Sequence, residues 1–569
     1  MTRDELRRRV AEWLGLDPDP DDRATLVSLH DAATDKYDDA ALEELFDAPE
    51  LTFGTAGLRG PMQPGPGGMN RANVRFATLG VLGWITETGL DPTKGVVVGR
   101  DGRRHSESFN DEVVRVLLGG GVRVFEMPSA LPTPLVAYCV KALGAAAGIM
   151  VTASHNPPND NGYKLYASDG AQIIPPDDEI VERHMRLAIT NALGDPGARD
   201  ALNASLGDRS SPLHSYVADS VLADYRGHLV DRFGVPPGEE LAITYTPLHG
   251  VGGVPMTQLF AEAGYVNITT VARQFEPDGS FPTLPFPNPE ESGALDLSIE
   301  TARTANSSVI LANDPDADRL GAAVRVDTEW RVLRGDEIGW LLASSLVEGI
   351  QERGETMATT IVSSTLLEKM AKEHGVAFAT TLTGFKWLAR AAGNGVLGFG
   401  YEEALGFAVD SRVSDKDGMS AALALARLDW ELTARGSSLA ARLDELEAAY
   451  GVHWTKQLAI RADGADGLTR LRQKVTELTE HPPNVLGSCE VTESADLGKG
   501  FRGLRPTDGV WLQLGEIGRV VVRPSGTEAK VKAYIEITPP RVGSLDEQRA
   551  RAIETTDAVL ESLRELLSV

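Results

Sequence analysis

Gly95-Val-Val-Val-Gly-Arg-Asp101 is an apolar run closed by a short polar turn. A stretch with helical patterning follows near Ser106–Leu118, then Gly119-Gly-Gly121 and Val122-Arg-Val-Phe125. The same order of strand, loop, helix, glycine and strand recurs twice. Leu241-Ala-Ile-Thr-Tyr-Thr246 leads through Pro247–Gly253 and a helix near Pro255–Ala263 to Gly264 and Val266-Asn-Ile-Thr269. Ala358-Thr-Thr-Ile-Val362 leads through a helix near Ser364–Glu373 to Gly375 and Val376-Ala-Phe-Ala379. Strands alternating with helices of about ten residues read as parallel α/β units. Three such units predict an α/β protein with three similar α/β domains. The C-terminal part reads differently. Trp511-Leu-Gln-Leu514, Arg519–Arg523 and Val531–Ile537 alternate like strands, and a helix runs from Ser544 to about Leu567. That pattern predicts a smaller α+β domain. The expected boundaries are a helical segment over 1–50, α/β domains over 51–222, 223–332 and 333–450, and the C-terminal domain over 451–569.

Composition narrows the function classes. The chain has 569 residues, 42% of them hydrophobic, enough for several cores. It contains no apolar run of about 18 residues, so no membrane-spanning helix is expected. The charged start, Met1-Thr-Arg-Asp-Glu5, leads into no apolar segment of the secretory kind. The two cysteines, Cys139 and Cys489, match no metal spacing, which predicts a reduced, cytoplasmic protein. Lys and Arg total 55 against 82 Asp and Glu, for a net charge of −27. Such a surface repels nucleic acid and anionic lipid, so neither is an expected partner. An anionic substrate would need local basic clusters set against that field.

Several loops carry chemistry. Thr152-Ala-Ser-His-Asn-Pro-Pro158 follows the apolar run Ala147–Val151 and continues to Asn161-Gly-Tyr-Lys164. Pro157 and Pro158 keep it from becoming helix. Ser154 is thereby presented at a strand end with His155 and Lys164 close in sequence, as a nucleophile or as the cap of a turn. Asp314-Pro-Asp-Ala-Asp-Arg319 puts three carboxylates at alternate positions after Val309–Ala312. Unbalanced, these carboxylates repel one another; together they suit a hard cation, best Mg2+, which uses few carboxylates and favours phosphate oxygen. An EF-hand fails, because Arg319 stands where its glycine belongs and Arg325 where its glutamate belongs. A nucleophilic D-x-D-x-T motif at Asp316 and Asp318 lacks its Thr or Val; an acidic loop capping a helix is the plain alternative. Arg523-Pro-Ser-Gly-Thr-Glu528 offers Arg523, Ser525, Gly526 and Thr527 as a phosphate cradle or as a simple turn. Gly400-Tyr-Glu-Glu-Ala-Leu-Gly406 offers Glu402 and Glu403 to sugar hydroxyls, Asp415-Lys-Asp-Gly418 offers Lys416 to a phosphate, and Phe53-Gly-Thr-Ala-Gly-Leu-Arg-Gly60 delivers Arg59.

Together and in this order, these motifs resemble the α-D-phosphohexomutase superfamily of phosphoglucomutases and phosphomannomutases, over about Phe53 to Ile537. The resemblance implies four domains around a central active-site cleft and an intramolecular phosphotransferase with Ser154 phosphorylated at rest. It further implies one Mg2+ per chain, held by Asp314, Asp316, Asp318 and a Ser154 phosphate oxygen. Catalytic parts fall to Ser154, Arg59, His155 and Lys164, the last as a general acid or base whose pKa burial could lower. Substrate parts fall to Thr383, Gly384, Glu402, Glu403, Lys416, Arg523, Ser525, Gly526 and Thr527, with Glu403 aligned to the sugar-hydroxyl glutamate. The implied partner is a phosphorylated sugar, with a sugar bisphosphate as intermediate and activator, in a monomer or dimer. The expected substrates are hexose 1- and 6-phosphates. The sugar loop departs from the common G-E-x-S-G-H at Glu402, Leu405 and Phe407, in the manner of a branch that also holds pentose phosphomutases.

Overall fold

The computed structural model describes residues 2–31, 39–54, 57–236, 241–461, 467–524 and 530–568. The chain forms two compact units. The first comprises Met1–Arg325, Glu329–Val332 and Asp410–Arg427; the second comprises Val326–Thr328, Leu333–Val409 and Leu428–Val569.

The first unit holds two sheets. In one, Val96–Arg100 lies between Val124–Glu126 and Ala147–Val151, all parallel, and Asp160–Ala167 returns antiparallel to Ala147–Val151. Leu58–Pro61 extends that edge and His214–Tyr216 the other. Val96, Val97 and Val98 are fully buried, as expected of a central parallel strand covered on both faces. In the other sheet, Ile243–Thr246 lies parallel to Ile268–Thr270 and to Val309–Asn313. Leu320–Val326 returns antiparallel to the latter, and Glu329–Val332 closes the edge. The predicted helices appear as Ser106–Gly119 and Gly253–Glu262.

The N-terminal helix Arg3–Leu16 buries Leu6, Val10 and Trp13, one stripe of a 3.6-residue period. Those side chains join the core that contains Val96, Val98 and Ile149. The segment outside the recognisable motifs is therefore a structural part of the first core.

The second unit repeats the design and adds a different sheet. Thr356–Thr360 pairs parallel with Ala377–Thr381 and Leu397–Glu402, and Gly406–Ala408 returns antiparallel to Leu397–Glu402. The C-terminal sheet is antiparallel throughout: Trp454–Arg461, Lys530–Ile537, Gly518–Pro524, Val510–Leu514, Cys489–Asp496 and Val485–Leu486. The helix Leu545–Leu567 covers it, capped by Ser544 and Glu547.

Asp410–Arg427 lies within the 333–450 expected as one domain, yet it packs with the first unit. The reason is polar. Asp410 pairs with His228 and Arg232, Asp415 accepts from Tyr166 at 2.9 Å, and Asp417 accepts from Tyr225 at 2.8 Å.

One glycine fixes the height of the acidic loop. A Cβ on Gly250 would stand 2.3 Å from Pro315 Cα and 2.4 Å from its carbonyl oxygen, while Val251 N donates to that oxygen at 2.9 Å. Backbone meets backbone there, so no side chain can yield. Gly250→Ala is expected to lower the unfolding midpoint in thermal melts by an overpacking cost of about 1–3 kcal/mol.

Candidate active site

Three loops occupy the same place in three sheets. Each joins a buried parallel strand to the strand that returns antiparallel to it. Residues 152–159 join Ala147–Val151 to Asp160–Ala167, 314–319 join Val309–Asn313 to Leu320–Val326, and 403–405 join Leu397–Glu402 to Gly406–Ala408. Each loop contains one non-glycine residue in the left-handed region: Ser154 at φ 51°, Ala317 at φ 54° and Leu405 at φ 62°. Left-handed backbone is costly for such residues and persists where surrounding contacts over-determine it.

For Ser154 those contacts come from Arg103. Its Nη2 donates to the carbonyls of Ser154 and Asn156, each at 2.6 Å, and its Nη1 to those of Pro157 and Asp160 at 2.8 and 3.1 Å. Arg103 N is in turn tied to Asp101 Oδ1 at 3.0 Å. Motif reading missed Arg103. The available signal was its position just after the strand Val96–Arg100, in a Gly/Arg/Asp turn whose charges a buried site would have to use.

Ser154 is buried, and its Oγ donates to Asp314 Oδ2 at 2.8 Å, with His155 Nδ1 3.2 Å away. Desolvation, Arg319 and Arg59 push the His155 pKa well below the usual histidine value. Arg59 stands beside the same loop, with Nη1 on Asn156 Oδ1 at 3.1 Å.

Asp314, Asp316 and Asp318 are fully buried, with one oxygen from each within 4.8 Å of the others. At that separation each like-charged pair costs about 3.5 kcal/mol for an effective dielectric constant of 20. Three such pairs rival the whole stability of an ordinary domain, so counter-charge is obligatory. Lys164 supplies most of it, with Nζ 2.8 Å from both Asp316 Oδ2 and Asp318 Oδ2. Lys416 Nζ lies 3.3 Å from Asp318 Oδ2, and Arg319 stands 4.0 Å from Asp314 and Asp318. Thr133 Oγ1 donates to Asp316 Oδ2 at 2.7 Å.

The titration follows this geometry. Burial and the two neighbouring carboxylates push Asp314 well above the usual range. Burial acts the same way on Asp318, but Lys164, Lys416 and Arg319 outweigh it and hold that carboxyl well below the usual range. Burial opposes the charge on Lys164, and Asp316 and Asp318 overcome it, so its pKa rises. The lowering expected from burial is therefore reversed, because the lysine is buried against two carboxylates and not against apolar groups.

Asp316 Oδ1 and Asp318 Oδ1 are buried without a hydrogen-bond partner among the described residues. Their sister oxygens carry the lysine and hydroxyl contacts, and Asp318 Oδ1 has Arg319 Nε 4.0 Å away. Orphaned buried carboxylate oxygens, clustered and all of oxygen type, fit a hard divalent cation.

The second unit carries the residues expected to meet a sugar and a phosphate. Glu402 Oε1 accepts from Gly384 N at 2.6 Å, which fixes the Thr383–Gly384 turn beside it. The other Glu402 oxygen has no hydrogen bond among the described residues. Glu403 is engaged instead: its Oε2 accepts from Ser363 Oγ at 2.8 Å and Thr360 Oγ1 at 3.4 Å. Leu405 and Phe407 are buried at 2% and 0% exposure, with Phe407 stacked 6.3 Å from Tyr401. These two departures from the common sugar loop are core residues here. Arg523 is half-buried on the strand Gly518–Pro524; Ser525, Gly526 and Thr527 lie outside the described residues.

Among the described residues, no helix is long and apolar enough to cross a membrane. Four family models match in chain order. They are phosphoglucomutase/phosphomannomutase alpha/beta/alpha domain I over 50–190, domain II over 224–327, domain III over 334–450, and the C-terminal domain over 488–552. A Haemophilus influenzae protein described as "Probable phosphomannomutase" is 36% identical over 474 residues, 82% of this chain and 93% of that one. A Schizosaccharomyces pombe protein described as "Probable phosphoribomutase" is 34% identical over 591 aligned positions, 97% of each chain. The crystal structure of parafusin, a phosphoglucomutase from Paramecium, shares the fold with a TM-score of 0.67 at 16% identity, covering 92% of this chain and 98% of that one.

Replacing Lys164 with methionine would leave Asp316 and Asp318 buried with far less counter-charge. Lys164→Met is expected to cost roughly 3–5 kcal/mol of stability. In thermal melts, added Mg2+ should raise the midpoint of the variant by more than that of the wild type.

Proposed function

The chain belongs to the phosphoglucomutase/phosphomannomutase family, and from that premise we propose that it moves phosphate between the 1- and 6-positions of glucose or mannose through phosphorylated Ser154. The class of reaction is that of its family: a phosphosugar mutase, an isomerase acting by phosphoryl transfer. The observation that supports Ser154 as the relay is its hydroxyl, buried at the end of a strand in a strained loop and aimed at Asp314. A turn-capping serine would bond its own loop instead.

In the proposed cycle, a free sugar hydroxyl attacks the phosphorus of phosphoserine 154. A new P–O bond forms as the bond to Ser154 Oγ breaks, giving a sugar bisphosphate. After the sugar turns round, Ser154 Oγ takes the other phosphate and the product leaves. Asp314, Asp316 and Asp318 would hold Mg2+ with an oxygen of the Ser154 phosphate, and the ion would offset charge on the transferring group. Arg59 and Lys164 contribute positive charge toward the same group. His155, with Nδ1 3.2 Å from Ser154 Oγ and its ring held neutral by burial, Arg319 and Arg59, orients that oxygen. The transfer is proton-neutral overall, since the attacking hydroxyl loses one proton and Ser154 Oγ gains one as it leaves. Lys164, with Nζ 2.8 Å from Asp316 and Asp318, is the residue proposed to act in that exchange as general acid or base. Lys416 serves as a further phosphate contact.

In the second unit we assign Arg523, with Ser525, Gly526 and Thr527, to the non-reacting phosphate. Contacts to phosphate and not to the ring suit a substrate that binds in two orientations. Glu402, with an oxygen to spare, and the Thr383–Gly384 turn receive ring hydroxyls.

A pentose 1- and 5-phosphate is the second reading. Burial of Leu405 and Phe407 supports it, because the loop then offers a ring fewer polar groups. The similarity of the S. pombe protein over 97% of both chains points the same way. Glucose 1-phosphate, mannose 1-phosphate and ribose 1-phosphate assayed side by side separate the two, the larger kcat/KM naming the substrate. Mass spectrometry is expected to find one phosphate on Ser154. Ser154→Ala should lower kcat by at least about 1,000-fold, and full activity in that variant would refute the serine relay.

A further inference from the structure

The sugar loop is held by a chain of buried polar contacts that no motif reveals. Ser363 Oγ donates to Glu403 Oε2 at 2.8 Å and accepts from Glu403 N at 3.2 Å, so one hydroxyl binds both ends of that residue. A Cβ on Gly335 would stand 1.9 Å from the Glu403 carbonyl oxygen, so the helix start presses on the third side. Ser363 is itself immobilised. Arg519 Nη2 donates to the Ser363 carbonyl, and Nη1 to that of Ile361 at 2.8 Å. Arg519 Nε is paired with Glu536 Oε2 at 2.9 Å, and Glu536 Oε1 accepts from Ser364 Oγ at 2.7 Å and Thr365 N at 2.8 Å.

Arg519 and Arg523 lie on the same strand, Gly518–Pro524. We infer that Ser363 is a positioning residue for the sugar loop, clamping Glu403 while Arg519 clamps it, so that one C-terminal strand sets both the phosphate-binding Arg523 and the sugar-facing Glu402. This rests on the mutase reading for the roles of Arg523 and Glu402. Glu403 then acts through the fold and Glu402 meets the substrate.

The clamp has a titration signature. Burial, then Glu402, pushes the Glu403 carboxyl up to about 7, with Asp336 adding to the rise, while the Ser363 hydroxyl and Lys532 oppose it. Loss of the Ser363 hydroxyl removes a lowering influence, so the Glu403 pKa moves upward and protonation begins at higher pH.

Purified Ser363→Ala, Glu403→Gln and the double variant test the clamp against the wild type. Each single change is expected to raise KM for the phosphosugar about tenfold with kcat within about twofold. The double variant should do no worse than the stronger single one, because both cut the same link. The acid limb of kcat/KM should shift to higher pH in Ser363→Ala, vanish in Glu403→Gln and return to its place in Ser363→Thr. Hydrogen exchange should quicken over residues 400–407 in Ser363→Ala. Unchanged exchange there, or additive KM effects with an unmoved acid limb, would overturn the clamp. A wild type inactive on every sugar phosphate would instead overturn the mutase reading, while the exchange comparison still decides the clamp.

Discussion

Three carboxylates buried within 4.8 Å of one another are the constraint on which the first unit is built. Their repulsion is large compared with the net stability of a domain, so the surroundings must answer it. Lys164 reaches them from the strand Asp160–Ala167, Lys416 from the 410–427 segment, Thr133 from the start of the helix Thr133–Ala142, and Ser154 from the serine loop. Four separate stretches of chain are thereby brought to one point. The segment Asp410–Arg427 belongs to the first unit in part for this reason, since its lysine balances Asp318. What looks like an isolated acidic motif is the meeting place of the first unit's polar framework.

The same local device positions the chemistry in three sheets. A parallel strand carries the chain through the core, a short loop turns it back, and one residue takes left-handed backbone at the turn. The price of that backbone is met differently each time. Arg103 wraps the carbonyls around Ser154, backbone bonds from Thr133 N and Val251 N hold the loop around Ala317, and burial in the core holds Leu405. A repeated topology thus supplies three equivalent strand-end positions, and individual side chains give each a different content: a hydroxyl, a carboxylate cluster, a carboxylate pair.

Most of the α/β framework was legible in the sequence because period and punctuation are local. The strand near 95–101, the helix after Ser106 and the glycines at 119–121 signal their elements within a dozen residues, and the structure contains them. The motif residues were legible because Asp-x-Asp-x-Asp and Ser-His-Asn-Pro-Pro have few structural uses. Partnerships across the chain were not. Nothing near Lys164 announces that it meets Asp316 and Asp318, and so a lysine expected to lose its proton readily is found holding it more firmly. Arg103, Ser363 and Arg519 escaped for the same reason: an arginine that binds carbonyls and a serine that binds a glutamate look like ordinary residues until distant strands are placed. The antiparallel return strands were also hidden, because each begins inside what reads as a functional loop.

With a net charge of −27 the chain can hold an anionic substrate only through local cations, and the structure shows how they are stored. Lys164 and Lys416 are bound to aspartates, Arg103 to backbone carbonyls, Arg519 to Glu536 and carbonyls. Stored this way, a cation can be buried without the desolvation cost of an unpaired charge. It also means that an arriving phosphoryl group gains these cations only by exchange. For Lys164 the exchange is balanced if Asp316 and Asp318 gain another positive partner as they release the ammonium. Their Oδ1 atoms, which accept no hydrogen bond among the described residues, are where a divalent ion would supply it. Metal affinity and readiness to receive phosphate are on this view one property of the same carboxylates, which is why the lysine and the aspartates belong to a single buried group.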